Sequence, residues 1–431
     1  CSEVAATLEG LERVGLVRPA AEADAVDGVR PELVAEPASV PEASELLRAA
    51  SRAGLRTVFA GGGSKLGLGN PPERLDLLVS TRRLQRVLEH AAGDLVVKVE
   101  AGARLADLQD ALAPAGQWLA LDPPEPGATV GGTVAANASG PRRFRYGTAR
   151  DLVIGITVVL ADGTVAHAGG KVVKNVAGYD LAKLFCGSLG TLGLVAEATF
   201  RLHPLPAAAA VVTLEVDSPQ RVGAAVGPLL RSALEPSAVE LAWPDWQLPG
   251  RLTVVFEGIR PGVEAQAAAC AELLGRVGTA AVAGPGETDA ALAELGAPRF
   301  EKADVGVKVT CPPAELAAVL EDLRAGPSPW LGPVHAHAGT GVLWVASDFG
   351  EGELEASGGR MVPALAGAVT AARERLAALG GSLVLVKAPP ELKRAVDAWG
   401  PAGDAVGLMR RVKERFDPDR RLSPGRFVGG I

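Results

Sequence analysis

The sequence predicts an α+β protein of two domains. Strand and helix patterns alternate from about residue 33 to Pro206, as in a sheet flanked by helices. After Pro204 and Pro206 the character changes to β-branched runs such as AAAAVVTLEV and RLTVVFEGI, interleaved with Ala-rich helical stretches. A chain of 431 residues also exceeds one ordinary hydrophobic core.

Residues 1–26, which include SEVAATLEGLERVGLV, carry helix-like apolar periodicity and predict a helical extension. LVAEPASVPEASELLRAASRAGLRTVFAGGG then reads as strand, Pro-bounded turn, helix, strand and glycine loop. From residue 75, LDLLVSTRRLQRVLEHAAGDLVVKVEAGARLADLQDAL predicts strand, helix, strand and a second helix to about Ala113. These elements form a first domain over 27–206. A second domain over 207–400 is a sheet covered by helices, among them PGVEAQAAACAELLGRVG and the Ala/Gly-rich stretch 363–379. Residues 401–431 read as the helix AVGLMRRVKERF followed by a Pro-ended tail.

Composition narrows the function. At 48% apolar and 22% charged the chain is globular, and a net charge of -7 with mixed signs provides no basic field for nucleic acid. No uninterrupted apolar run reaches the roughly 18 residues of a membrane span. Cys1, Cys186, Cys270 and Cys311 are far apart, with no CxxC or Cys/His ladder, so an iron–sulfur cluster or structural zinc has no ligand spacing here. Free thiols point to a reducing, cytoplasmic compartment. Cys1 is expected to result from truncation or processing.

Three glycine-rich segments carry the chemistry. In AGGGSKLGLG (60–69), Gly61, Gly62 and Gly63 permit positive φ and bring successive N–H groups toward phosphate oxygens, while Ser64 adds a hydroxyl. The loop fits neither the GxGxxG fingerprint nor a P-loop. In PGATVGGTVAANASG (126–140), Gly131 and Gly132 can lie flat against a ring or pyrophosphate and Asn137 offers an amide. In GSLGTLGLV (187–195), Gly190 and Gly193 flank Thr191 ahead of a strand at Val195. Each segment alone also reads as a structural turn or bulge. In order on one scaffold, they read as three backbone surfaces around one large anionic cofactor, FAD.

At these residues the chain resembles flavoproteins of the vanillyl-alcohol oxidase and p-cresol methylhydroxylase type, and within them the FAD-binding subunit of bacterial glycolate oxidase. RRFRYGTARDLVIGITVVLADGTV (142–165), GGKVVKNVAGYDLAKLFCGSLGTLG (169–193), FRLHPLP (200–206) and the tail FDPDRRLSPGRFVGGI carry the resemblance. It implies a two-part FAD domain, a cap domain, and a tail returning to the FAD domain. It assigns Gly61, Gly62, Gly63, Ser64 and Lys65 to the pyrophosphate, and Gly127, Thr129, Gly131, Gly132 and Asn137 to the nucleotide and flavin. Gly190, Thr191, Gly193 and Val195 complete the pocket. Ser423 stands where such tails usually carry Asn before Pro–Gly.

The departures bear on function. Relatives with covalent FAD place a His in the first glycine loop; residues 59–70 have none, so FAD is expected to be non-covalent. Relatives that oxidise 2-hydroxy acids carry HAGDGNLH and a later Glu–His pair that hold a divalent metal. Here the segment reads HAGTGVLW, with His337 kept, Thr340 and Trp344 in the other places, and His335 nearby; no metal site is expected. Leu189 replaces a common Glu. Tyr146, Tyr179, Lys174 and Asn175 could meet a flavin or simply pack in turns, and Arg142, Arg143 and Arg145 could bind an anion or form a surface cluster. No catalytic residue is assigned. The expectation is an electron-transferring FAD subunit of a glycolate oxidase or dehydrogenase complex, alongside a paralogous catalytic flavin subunit and an iron–sulfur subunit, meeting the inner face of a membrane only through those partners. A self-sufficient D-lactate-like dehydrogenase and a flavin-bound scaffold are the alternatives.

Overall fold

Strand Leu33–Glu36 (β2), helix Val40–Arg52 (α1) and strand Thr57–Ala60 (β3) build the first sheet of the computed structural model, which describes residues 16–171, 180–297, 300, 303–326, 332–349 and 360–431. Ser39 caps α1 by accepting the Glu42 N–H at 3.2 Å, and Ala43, Leu46, Leu47 and Ala50 form its buried stripe. Strand Leu77–Ser80 (β4) lies parallel between β2 and β3, and strand Leu16–Pro19 (β1) runs antiparallel on the outer edge of β2. The glycine loop leaves the C-terminal end of β3. Residues 1–26 were expected to be helical; Leu16–Pro19 pairs with β2 instead, residues 20–26 hold no helix beyond the 3-10 turn Glu22–Asp24, and residues 1–15 lie outside the described residues.

The second sheet has the order β5-β6-β10-β8-β9, from Val87–Ala91 (β5), Val96–Glu100 (β6), Val153–Val159 (β8), Val165–Gly169 (β9) and Leu194–Arg201 (β10). A two-stranded ribbon pairs Gln117–Trp118 (β7) with His203–Pro204 (β11). The helix expected before Asp94 is strand β5. Leu84, Val87 and Leu88 share helical spacing, yet Leu84 is buried while Val87 and Leu88 are 40% and 36% exposed, so no helical face is buried there. Helices Leu105–Leu112 (α2) and Val130–Ala136 (α3) follow.

The chain divides into two units, the first comprising 1–139, 147–205 and 401–431, the second 140–146 and 206–400. The tail therefore belongs to the unit that holds the glycine loops, and Thr57 exchanges backbone hydrogen bonds with Arg421 and Ser423 at 2.8 Å. The second unit is an eight-stranded antiparallel sheet. Alternate residues Val212, Leu214 and Val216 face buried residues of helices Pro219–Arg231, Arg260–Gly275, Leu316–Ala325 and Val362–Ala378. Val211 points to the other face, against helix Pro285–Leu295.

Segment 140–146 joins the second unit through an ion pair. Arg142 Nη2 donates to Glu257 Oε1 at 2.8 Å, with the Glu257 side chain 2% exposed, and Arg145 Nη1 donates to the Glu257 carbonyl at 2.9 Å. Arg142 and Arg145 are thus engaged by Glu257 rather than forming a loose surface cluster. Lys174, Asn175 and Tyr179 lie outside the described residues.

Candidate functional site

The three glycine segments converge in the first unit on one cleft. Its walls include Gly61 to Lys65 after β3, Thr129 to Thr133 around the start of α3, and Leu189, Gly190, Gly193 and Val195 before and within β10. The glycines differ in why they are glycine. Gly63 has φ 82° and Gly190 φ 73°, a left-handed backbone that side chains resist. Gly62 and Gly131 are close-approach positions: a β-carbon on Gly62 would lie 1.7 Å from Gly127 O, and one on Gly131 2.6 Å from the Ala101 β-carbon.

Of the residues singled out in the sequence, Gly61, Gly62, Gly63, Ser64, Lys65, Thr129, Gly131, Gly132, Gly190, Gly193 and Val195 line the cleft. Gly127, Asn137 and Thr191 are not among its lining residues. Gly127 backs Gly62; Asn137 ends α3 in the left-handed region and its Oδ1 accepts the Arg150 N–H at 3.3 Å. The buried Thr191 hydroxyl donates to Ser188 O at 2.7 Å. Thr129 Oγ1 accepts the Gly132 N–H at 3.3 Å and fixes the first turn of α3.

Among the other lining residues, Glu125, Thr133 and Arg426 were not foreseen from the sequence, and Leu189 was noted there only as replacing a Glu. Glu125 Oε1 accepts from Lys65 Nζ at 2.5 Å, joining loops sixty residues apart. Thr133 is 3% exposed and, among the described residues, its hydroxyl has no hydrogen-bond partner. Arg426, 3% exposed, reaches the cleft from the tail and donates to the Leu66 carbonyl and, at 2.9 Å, to Leu68 O; burial holds its guanidinium below the usual arginine range. Leu189 has φ 49°, unusual for a branched residue. Only Leu189 had a local signal, its place in a Gly-punctuated turn.

In the second unit, Glu240 on strand Ala238–Trp243 and His337 on strand Val334–His337 are direct cross-strand partners. The Glu240 carboxylate accepts from His337 Nδ1 at 2.7 Å, with both side chains buried, and the Trp344 ring meets the imidazole edge-on at 4.5 Å between centroids. Among the described residues no three His, Cys, Asp or Glu side chains converge as metal ligands.

Residues 31–169 match the family described as FAD binding domain, and residues 205–427 match the FAD linked oxidases, C-terminal domain. This chain belongs to the FAD-linked oxidases. Its cofactor is FAD. The cleft suits that cofactor physically, with walls free of β-carbons where backbone surfaces meet and a buried hydroxyl awaiting a partner. This FAD-linked oxidase is 29% identical to a D-lactate dehydrogenase of Archaeoglobus fulgidus over 92% of this chain and 91% of that one. It is 38% identical to the glycolate oxidase subunit GlcE of Escherichia coli over 37% of this chain and 45% of that one. Matches to other curated relatives span about half of their length or less. An alkyldihydroxyacetonephosphate synthase structure shares the fold with a TM-score of 0.74 at 17% identity, covering 98% of this chain and 86% of that one. Among the described residues of this FAD-linked oxidase, no helix is long and apolar enough to cross a membrane.

Proposed function

We propose that the chain is the FAD-carrying, electron-transferring subunit of an assembly that oxidises glycolate to glyoxylate, working with a paralogous catalytic flavin subunit and an iron–sulfur subunit. The observation that carries this reading is the surroundings of His337. The Trp344 indole stands edge-on against its ring, where a metal that activates a 2-hydroxy acid would need a second ligand and an indole offers none. The similarity to GlcE supports the subunit assignment. FAD, when bound, supplies a two-electron acceptor able to pass electrons on singly. The residues of the chain bind and orient it non-covalently: the loop Gly61–Ser64 offers backbone N–H groups, the Lys65–Glu125 pair closes one end, and Leu189, Leu194 and Val195 keep water from an apolar wall.

A second reading, a self-sufficient D-lactate-like dehydrogenase, is favoured by the near full-length similarity to the Archaeoglobus enzyme. Assay of the purified chain, alone and co-expressed with neighbouring subunits, decides between them. Dye reduction by glycolate or D-lactate that appears only in the assembly supports the subunit; equal turnover by the chain alone supports the dehydrogenase.

A further inference from the structure

A lysine buried to 2% exposure sits in the tail, on helix Val406–Phe416. Lys413 Nζ donates to Thr191 O at 2.8 Å, to Asp417 Oδ2 at 2.6 Å and to Leu422 O at 2.8 Å, so each of its three N–H groups has an acceptor. Asp417, fully buried, spends its other capacity on the tail itself, accepting the Leu422 N–H at 2.8 Å and the Arg421 N–H at 3.1 Å. A buried ion pair of this kind is a poor source of stability compared with apolar packing, and its value lies in specifying one arrangement. The arrangement specified here is the wall of the cleft. Thr191 directly follows the left-handed pair Leu189 and Gly190, which line the cleft, and Ser423 Oγ donates to Leu189 O at 3.1 Å.

We infer that Lys413 is a positioning residue for the flavin site: by tying Thr191 O to Asp417 and Leu422 it holds the Leu189–Gly190 wall, so that docking of the tail and binding of FAD form one coupled equilibrium. The inference rests on FAD occupying the cleft described above. Two walls are held by the same tail, since Arg426 also grips the carbonyls of Leu66 and Leu68 in the first glycine loop.

The test uses the full chain, with FAD affinity from titration of the apo-protein and amide exchange measured with and without FAD. Lys413→Met should weaken FAD at least tenfold. In the parent chain FAD should slow exchange at 189–193 and 420–426, because by reciprocity of linkage whatever docking of the tail adds to FAD affinity, FAD returns to docking of the tail. The double change Lys413→Met with Asp417→Leu replaces the pair by apolar volume; it should recover melting temperature without recovering affinity. Should neither fold, Ser423→Ala removes only the Leu189 tie and should weaken FAD about threefold or more. Unchanged affinity in the variants that fold, or recovery of affinity together with melting temperature, overturns the inference. Ala138→Trp, which fills the cleft, tests the cleft itself: normal FAD binding by that variant refutes the site, whereas its loss alongside full binding by Lys413→Met refutes the role of Lys413 alone.

Discussion

The carbonyl oxygen of Gly127 lies 1.7 Å from where a β-carbon on Gly62 would stand. Two glycine loops that are far apart in sequence therefore meet backbone to backbone, and a third chain surface is set by Gly131 against Ala101. Gly62 owes its identity to this approach, since its φ is not in the left-handed region.

Gly62→Ala must then push the two loops apart. We expect at least tenfold weaker FAD binding and a loss of about 1–3 kcal/mol in the apo-protein, the usual cost of overpacking. Absorbance at the flavin band per mole of protein, with denaturant melts, measures both; full flavin content in this variant would refute the loop contact.

Thr133→Val should change sign with the cofactor. The hydroxyl is buried without a partner among the described residues, so its removal should leave the apo-protein as stable as before or up to about 1 kcal/mol more stable. The holo-protein should bind FAD more weakly, because the hydroxyl is available to the ligand. Melting of apo and holo forms side by side reads the two signs.

Flavin should be released completely by acid or heat precipitation. No histidine lines the cleft to attack a ring carbon. Yellow colour or fluorescence retained by the washed pellet would falsify non-covalent binding.

The isolated chain should not oxidise glycolate or D-lactate at a useful rate although dithionite reduces its flavin, and Trp344→His should not rescue it. The later Glu–His pair that helps hold the metal in hydroxy-acid-oxidising relatives would still be absent. Substrate-dependent bleaching of the flavin in the single chain, insensitive to chelator, is the contrary result.

Cys186, Cys270 and Cys311 should resist alkylation at pH 8. Burial pushes their thiols up to about 12, 12 and 11, so the reactive thiolate is scarce until the pH rises by several units. Peptide mass spectrometry after iodoacetamide treatment of native protein should find these three unmodified.

The glycine loops were legible because close approach leaves a local mark: a residue without a side chain. The Pro-bounded turn and the helix after it, found as α1, were equally local. The partners were not legible. Nothing near Lys65 announces Glu125, nothing near Thr191 announces Lys413, and Glu240 lies 97 residues from His337; each pairing exists only through the sheet or tail that brings distant segments together. Strand β5 was misread for the complementary reason. Leu84, Val87 and Leu88 imitate a helical stripe, and only hydrogen bonding to β6 reveals the extended backbone.

The Arg142–Glu257 pair bears on how such chains can be recombined. A hybrid joined at Pro206 would take Glu257 from one parent and residue 142 from the other, and a parent without Arg142 would strand the Glu257 carboxylate in the interior, where an unpartnered charge typically costs about 3–5 kcal/mol. The second unit is thus inherited as a discontinuous cassette, with 140–146 and 206–400 exchanged together.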